Sequence, residues 1–125
     1  MQVEGYSFMF STDYDVEVYF KEELQSIIHV RGSQVTFENF GTQPIWLPFG
    51  VKTSATIEDL EEFYEERCFP RERVNCKDLL RRMGLDCYEP ELICRKTHGL
   101  QFDDFTWLQF SDEPHVKWED IKLRD

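Results

Sequence analysis

The chain has 125 residues, of which 41% are hydrophobic and 15% aromatic, enough for one domain with a single aromatic-rich core. Its 25 acidic residues outnumber its 14 basic ones, which gives a formal net charge of −11. That charge repels nucleic acid at long range and excludes direct phosphate binding unless basic residues cluster on one face. No run approaches the roughly 20 apolar residues of a membrane span, and residues 1–20 lack the features of a signal peptide. We therefore expect a cytoplasmic protein with reduced cysteines.

Residues 1–50 are predicted to be rich in β-strands, because apolar and polar residues alternate along them. Gly32 can supply the positive φ of a hairpin turn, and residues 13–15 predict another turn. Prolines at both ends of the apolar segment 44–50 favour an edge strand or an extended cover. Four or five antiparallel strands are expected, and the alternating runs are 3–10, 16–20, 27–30 and 35–39.

Residues 56–99 change to helical periodicity. Thr56 and Asp59 make a pair like a capping box, with aspartate in place of the usual Glu or Gln. Helical spacing follows, which predicts a first helix with one apolar stripe. That stripe consists of Ile57, Leu60, Phe63, Tyr64 and Cys68.

Two more helices are predicted after the first. Pro70 and Pro90 are expected to begin them, since proline is tolerated in the first turn of a helix. Gly84 and Gly99 are expected to end them, since glycine adopts the left-handed conformation of a C-terminal cap. Their apolar stripes are Cys76, Leu79, Leu80 and Met83 in the second helix, and Leu92 and Ile93 in the third.

Residues 102–123 are predicted to return to β structure, with an aromatic strand over 102–110 and one further strand over 116–123. The strand 102–110 resembles a platform for stacking bases, but acidic residues flank it where such platforms carry basic ones, so a core role is favoured. Strands, then helices, then strands predict an α+β fold: a single domain with an antiparallel sheet and a three-helix segment before the C-terminal strands.

The four cysteines allow two main interpretations. They are separated by 7, 10 and 6 residues, whereas structural zinc sites show gaps of about two to four residues within each pair. The spacing favours packing as small apolar side chains, and we expect no cofactor. A zinc or other metal site stays open because all four lie on neighbouring helices or turns, and catalysis by a thiol nucleophile is a third alternative. The cysteines are Cys68, Cys76, Cys87 and Cys94.

His98 also has two interpretations. As the last residue of a helix it can meet the final carbonyl groups and the negative end of the helix dipole. Alternatively, His98 with Asp103 or Asp104 could act as a base or hold a divalent ion.

The first helix carries an unusual concentration of charge. Residues 57–66 contain six acids and no base, while residues 67–96 contain eight bases and five acids. The simpler interpretation is a solvated helix face that the neighbouring basic residues neutralise. The functional interpretation is a surface that binds a basic partner. The six acidic residues are Glu58, Asp59, Glu61, Glu62, Glu65 and Glu66.

The segment 63–110 contains a characteristic run of residues: Phe63, Arg67, Pro70, Arg73, Asn75, Leu79-Leu80, Gly84-Leu85, Tyr88, Ile93, Thr97-His98-Gly99, Asp103-Asp104 and Trp107. This run resembles one found in Firmicute phage and mobile-element proteins, where it precedes or accompanies HipA-like kinase domains and has Leu at the position of Met83. Some small proteins of that genomic neighbourhood act as anti-CRISPR inhibitors. The resemblance implies a phage or mobile-element lineage and a bacterial host. In the resembled segment the positions of the four cysteines are more often aliphatic.

No Gly-rich phosphate loop, nucleophile elbow or pair of histidines at helical spacing occurs in the sequence, so we expect a non-enzymatic binding protein. The leading hypothesis is an anti-CRISPR inhibitor that binds a basic nucleic-acid-handling surface of a type II CRISPR effector nuclease. The alternatives are an accessory or regulatory module of a HipA-like kinase and a zinc-stabilised interaction domain, with a metal-dependent hydrolase as a more remote one.

Overall fold

The computed structural model describes residues 13–101 and 104–122 of the chain. Four strands form one antiparallel sheet in the order β3-β2-β1-β4. Three helices lie between β3 and β4 along the chain, which confirms the predicted α+β fold with its helical segment before the C-terminal strand. The strands are β1 (Asp13–Phe20), β2 (Glu23–Arg31), β3 (Gln34–Asn39) and β4 (Thr106–Phe110); the helices are α1 (Ile57–Glu66), α2 (Cys76–Arg82), α3 (Pro90–Thr97) and α4 (Trp118–Ile121).

The sheet forms where apolar and polar residues alternate. Val16 of β1 lies opposite Ile28 of β2, and neither side chain is exposed to solvent. Gly32, at φ +64°, makes the turn between β2 and β3 as predicted. One face of the sheet is therefore apolar and packs under the helices. The predicted run 3–10 lies outside the described residues.

Two predictions for the β-rich part are wrong. Asp13 and Asp15 do not form a turn but lie within β1, with their side chains on the face of the sheet away from the helices. The segment 44–50 is neither a strand nor an extended cover. It begins with a short 3-10 helix, Pro44–Trp46, and continues through turns. These turns bring Phe49 between the sheet and α1, with ring centroids 4.9 Å from Phe37 and 6.1 Å from Phe63.

The helix α1 begins and packs as the sequence predicts. Leu60, Phe63 and Tyr64 are buried against the sheet. The Tyr64 hydroxyl lies 3.0 Å from the hydroxyl of Tyr14 on β1, so a buried hydrogen bond joins the helix to the central strands. This attachment fixes which side of α1 points to solvent.

The second helix starts later than predicted. Pro70 does not begin a helix; residues 70–75 form two successive turns, in which Arg73 N–H donates to Pro70 O (3.1 Å) and Cys76 N–H to Arg73 O (3.0 Å). Apolar side chains recur at helical spacing only from Cys76 onward. An α2 helix can therefore pack against the core only from that residue. It ends before Gly84, at φ +79°, as predicted.

The third helix agrees with its predicted limits. Pro90 occupies its first turn, and His98 and Gly99 end it with φ values of +57° and +64°. A Cβ atom on Gly99 would lie 2.8 Å from the Leu108 side chain. Glycine is therefore required there both for its φ and for the close approach of α3 to β4.

The C-terminal part is shorter in β structure than predicted. Of the described residues in the strand predicted over 102–110, Thr106–Phe110 form β4, while 102 and 103 lie outside the described residues. The strand predicted over 116–123 is wrong for the residues described, since Trp118–Ile121 is the short helix α4. Asp120 accepts a hydrogen bond from Lys117 N–H (3.2 Å) at the start of that helix. A second, smaller core forms beneath it from Leu100, Trp107 and Trp118.

The outer edge of β4 is covered by the chain that precedes it. Leu108 N–H donates to the His98 carbonyl oxygen (2.7 Å), and the Leu108 carbonyl accepts from His98 Nδ1–H (3.1 Å). The Arg67 guanidinium donates to the Thr106 carbonyl (3.1 Å). β4 therefore has hydrogen-bond partners on both sides, with β1 on one and these groups on the other.

None of the helices in residues 13–101 and 104–122 has the length and apolar character needed to cross a membrane.

Candidate functional site

The acidic side chains of α1 divide into one structural residue and five exposed ones. Asp59 belongs to the helix itself: its N–H donates to Thr56 Oγ1 (3.1 Å), and its carboxylate accepts from Thr56 N–H (2.9 Å), which confirms the predicted capping box. Lys52 Nζ lies 2.7 Å from the same carboxylate. The hydrogen bond from Lys52, with those from Thr56, holds the pKa of Asp59 below its usual range. The Asp59 carboxylate therefore already has partners within the chain, Thr56 and Lys52.

The other five acidic residues form a continuous stripe, which we call the acidic stripe. All five are exposed, and none forms an ion pair within residues 13–101 and 104–122. At 100° per residue they cover an arc of about 140° on the side opposite the buried stripe. The acidic stripe consists of Glu58, Glu61, Glu62, Glu65 and Glu66.

Two of the basic residues that follow α1 form their ion pairs with carboxylates outside this stripe. Arg67 turns inward, where it donates to the Gly99 carbonyl (3.0 Å) and pairs with Asp104. Arg95 pairs with Asp112 (2.7 Å) and with two further carboxylates, and its guanidinium lies over the Phe110 ring. All five carboxylates are exposed, as the simpler interpretation of a solvated helix face expects, and Glu66 lies close enough to Arg67 to interact with it electrostatically. Neutralisation of the face by the neighbouring basic residues stays a prediction.

Several large apolar residues are exposed in the segment between β3 and α1. Ile45 and Val51 are 76% and 82% exposed, and Phe40 and Trp46 are exposed as well. A small groove of about 160 Å³ runs between this segment and α1, lined by Pro48, Phe49, Lys52, Asp59, Glu62, Phe63 and Glu66. Apolar and acidic surface are therefore contiguous on this side of the molecule.

The structure brings two of the four cysteines together. Cys68 follows α1 and Cys94 lies in α3, both are buried, and their sulfur atoms are 3.9 Å apart. Cys76 is half-buried against the edge of the core and Cys87 is exposed. Among the described residues, no group of three or more His, Cys, Asp or Glu side chains is arranged to hold a metal ion. The alternative that the sequence left open, a metal site built from all four cysteines, is therefore not assembled among the described residues.

His98 ends α3 as predicted, and its backbone N–H donates to the Cys94 carbonyl, but its ring has a different partner from those expected. Its Nδ1 bonds the carbonyl of Leu108 in β4, not the last carbonyls of its own helix. Asp104 is paired with Arg67, and Asp103 lies outside the described residues. Trp107 is 3% exposed and stacks on Tyr19 at 4.6 Å, so the aromatic strand is core where the structure describes it.

Sequence reasoning missed a charged cluster on the open face of the sheet. His29 Nδ1 lies 2.9 Å from Asp15 and its Nε2 lies 2.6 Å from Glu38, while Arg31 pairs with Asp15 at 3.1 Å. The hydrogen bonds to Glu38 and to Asp15 raise the pKa of His29. The cluster joins β1, β2 and β3, and the only available signal was the register of those strands.

A cavity of about 700 Å³ was also not predicted. It opens between the C-terminal end of α1, the turns at 70–75 and α3. Cys68 lies in its wall together with Tyr88, Arg71 and Gln101. The Arg71 guanidinium stacks over the Tyr88 ring (4.4 Å), and the Tyr88 hydroxyl donates to the Phe69 carbonyl (2.5 Å).

Comparison of the chain with protein-family models, with curated proteins and with solved structures finds no match. Function must therefore be argued from the surface and the chemistry of this chain.

Proposed function

We propose that this chain is a small non-enzymatic binding protein whose acidic stripe binds a basic, nucleic-acid-handling surface of another protein. The leading example is a type II CRISPR effector nuclease in a bacterial cytoplasm, which makes the chain an anti-CRISPR inhibitor of phage or mobile-element type. The observation that carries the proposal is the acidic stripe: five exposed carboxylates on one helix without ion pairs in the part of the chain that is described.

The spacing of the acidic stripe supports competition with a nucleic-acid strand. Glu58 and Glu66 are eight residues apart, so the five carboxylates extend over about 12 Å of helix at about 1.5 Å per residue. This gives one negative charge per about 3 Å, close to the roughly 3.4 Å per charge of one nucleic-acid strand. A channel lined with Lys and Arg for phosphates therefore meets a similar linear charge density.

The attachment of α1 to the sheet supports binding without a large ordering cost. The capping box fixes its first turn and the Tyr14–Tyr64 hydrogen bond fixes its buried side. Helix and stripe are thus held in one orientation before a partner arrives, and preorganisation of this kind favours affinity. The net charge of −11 adds attraction at long range and speeds association.

The exposed apolar residues of the segment that precedes α1 would supply short-range contacts for the same partner. Trp46 packs on Phe20 with ring centroids 4.5 Å apart, so its position is fixed although it is partly exposed. Aromatic side chains of this kind dominate the binding free energy of many interfaces. Charge would then set the association rate, and Trp46 with Ile45 would slow dissociation.

The experiment compares two variants with equal changes of charge. One replaces Glu58, Glu61, Glu62 and Glu65 of the acidic stripe with Gln. The matched control replaces four other exposed glutamates, which form no ion pair among the described residues, with Gln: Glu22, Glu23, Glu72 and Glu89. Association with a guide-loaded type II CRISPR nuclease is measured from 50 mM to 500 mM salt, together with inhibition of target-DNA binding.

We expect the stripe variant to associate about tenfold more slowly at the lowest salt and to show a flatter salt dependence, because steering depends on its charges. The control should keep most of the association rate. An equal loss in both variants would contradict a role for α1 in particular. Binding to a HipA-like kinase, with no binding to the nuclease, would replace this proposal by the kinase-module alternative.

A further inference from the structure

The buried thiols of Cys68 and Cys94 form a pair that the proposed function does not use. Both sulfur atoms lie near one carbonyl oxygen, that of Tyr64, at 3.1 Å from Cys68 and 3.4 Å from Cys94. They are also within hydrogen-bond distance of each other, at 3.9 Å. One thiol of the pair can therefore donate to the other.

We propose that Cys68 and Cys94 are a redox-active pair, in which a hydroperoxide oxidises Cys68 and Cys94 then closes a disulfide between the end of α1 and α3. The proposal is independent of the partner that the acidic stripe binds. It rests on the distance between the sulfur atoms, on their unequal access to solvent, and on the charges around them.

Access distinguishes the two thiols. Cys68 lies in the wall of the 700 Å³ cavity, whereas Cys94 has no exposed surface at all. A small oxidant that enters the cavity therefore meets Cys68 first. The cavity opening is polar, with Arg71, Glu72 and Gln101 around it, so a hydroperoxide can enter with its hydration.

The surroundings also assign different roles to the two sulfur atoms. Donation from the Cys94 thiol lowers the pKa of Cys68, and the positive charge of Arg67 acts in the same direction. The same hydrogen bond, together with burial, raises the pKa of Cys94. Thiolate is the nucleophilic form of cysteine, so Cys68 reacts first and Cys94 holds the proton for the second step.

The reaction balances as two substitutions at sulfur and oxygen. The Cys68 thiolate attacks one oxygen of the hydroperoxide, the O–O bond breaks, and the leaving hydroxide or alkoxide takes a proton. Cys68 is then a sulfenic acid. Cys94 attacks its sulfur, the S–O bond breaks and water leaves with the Cys94 proton. The two thiols have given two electrons to the hydroperoxide, which is reduced to water or an alcohol.

The movement required is small. A disulfide bond is about 2.05 Å long, so the sulfur atoms must approach by about 1.9 Å from their separation of 3.9 Å. Both belong to short segments, the residues just after α1 and one turn of α3. Closing that gap requires side-chain rotation or a shift of one of these segments.

The test uses the full chain with Cys76→Ser and Cys87→Ser, which removes the two cysteines outside the pair. The protein is treated with hydrogen peroxide at neutral pH, unfolded in an alkylating agent and digested with trypsin. In this variant trypsin separates the two thiols, with Cys68 in residues 68–71 and Cys94 in residues 83–95. We expect both thiols to be lost together, a monomer lighter by about 2 Da, and one cross-linked peptide.

Two further variants of this protein test the order of the steps. Cys94→Ser should stop at a sulfenic acid on Cys68, which dimedone traps, because no resolving thiol remains. Cys68→Ser should leave Cys94 unmodified, because the oxidant does not reach it. If either variant fails to fold by circular dichroism, dimedone labelling of briefly oxidised wild-type protein, digested with a second protease that separates Cys87 from Cys94, shows which thiol is oxidised first.

Three results would overturn the proposal. One is folded protein in which both thiols stay alkylatable while peroxide oxidises exposed Cys87 in the wild type. Another is equal labelling of Cys94 and Cys68 by dimedone, which would contradict the assigned order. The third is a stoichiometric zinc signal in protein made without a metal-affinity tag, since bound metal would occupy the thiolates.

Discussion

Replacement of Trp107 by alanine should remove the largest single contribution to the smaller core. The indole is 3% exposed, stacks on Tyr19 and donates from Nε1 to the Lys21 carbonyl at 2.6 Å. The Trp107→Ala change therefore deletes apolar contacts and leaves the Lys21 carbonyl without that donor. The change therefore weakens the packing of β4 against the turn after β1 and against α4.

The expected cost follows from the buried area. An aromatic side chain of this size buries roughly 200 Å², and at about 25 cal/mol per Å² this corresponds to about 5 kcal/mol. Measured Trp→Ala changes in protein cores cost about 3–5 kcal/mol, because the surroundings relax in part. We expect about 4 kcal/mol here. That is a large share of the roughly 5–15 kcal/mol that stabilises a typical domain.

Urea denaturation followed by far-UV circular dichroism measures this loss, with a midpoint that shifts at an unchanged slope if unfolding stays two-state. Trp46→Ala is the matched control, because Trp46 is 37% exposed and should cost much less. The reasoning fails if Trp107→Ala costs under about 1 kcal/mol. A stable Trp107→Ala protein that no longer binds its partner would make the indole an interface anchor instead.

Two other predictions follow from local contacts. His29 gains Glu38 and Asp15 as partners on folding and its folded pKa is raised, so its contribution to stability is complete below its unfolded pKa, near 6.5, and is lost as pH rises through the folded value. Wild type should therefore lose stability between pH 6 and pH 9 relative to His29→Gln, as measured by urea midpoints; parallel curves would contradict the linkage. Thr56→Ala removes the cap of α1 and should cost about 1 kcal/mol in the same assay, whereas exposed Thr53→Ala should cost less than about 0.5 kcal/mol.

Local rules predicted those elements whose ends are set by nearby residues. The capping pair at Thr56 and Asp59, the proline at 90 and the glycine at 32 each act within a few residues of the boundary that they fix. Pro70 also acts locally, but the helix start predicted there is wrong, because a proline is compatible with a turn as well as with a helix start. Which of the two forms depends on what the following side chains can pack against, and that is not a local property.

The wrong prediction at Asp13 and Asp15 shows a dependence on the whole sheet. Asp13 and Asp15 resemble turn residues, yet β1 places them on its solvent side, where Asp15 meets His29 and Arg31. Their partners come from another strand, so only the register could have shown the cluster. The short helix at Trp118 has too few residues for its periodicity to distinguish helix from strand.

The sequence identifies the acidic residues of α1 but does not indicate which of them already have partners within the chain. Six carboxylates on α1 follow directly from the sequence, and five are exposed. Removal of Asp59 from the set requires the knowledge that Lys52 reaches it from the preceding loop. Likewise, a spacing of 26 positions gave no indication that Cys68 and Cys94 would meet, because the packing of α1 on α3 brings them together.

The hydrogen bonds along the outer side of β4 have a consequence for the behaviour of the chain under stress. Thr106–Phe110 is short, rich in β-forming residues and uncharged, which is the composition that promotes intermolecular cross-β assembly. While Arg67 and His98 hold its free side, no second molecule can add a strand there. Detachment of the turn after α3, well before global unfolding, would expose that segment. Resistance to fibril formation on heating or at high concentration thus depends on a few hydrogen bonds made by Arg67 and His98.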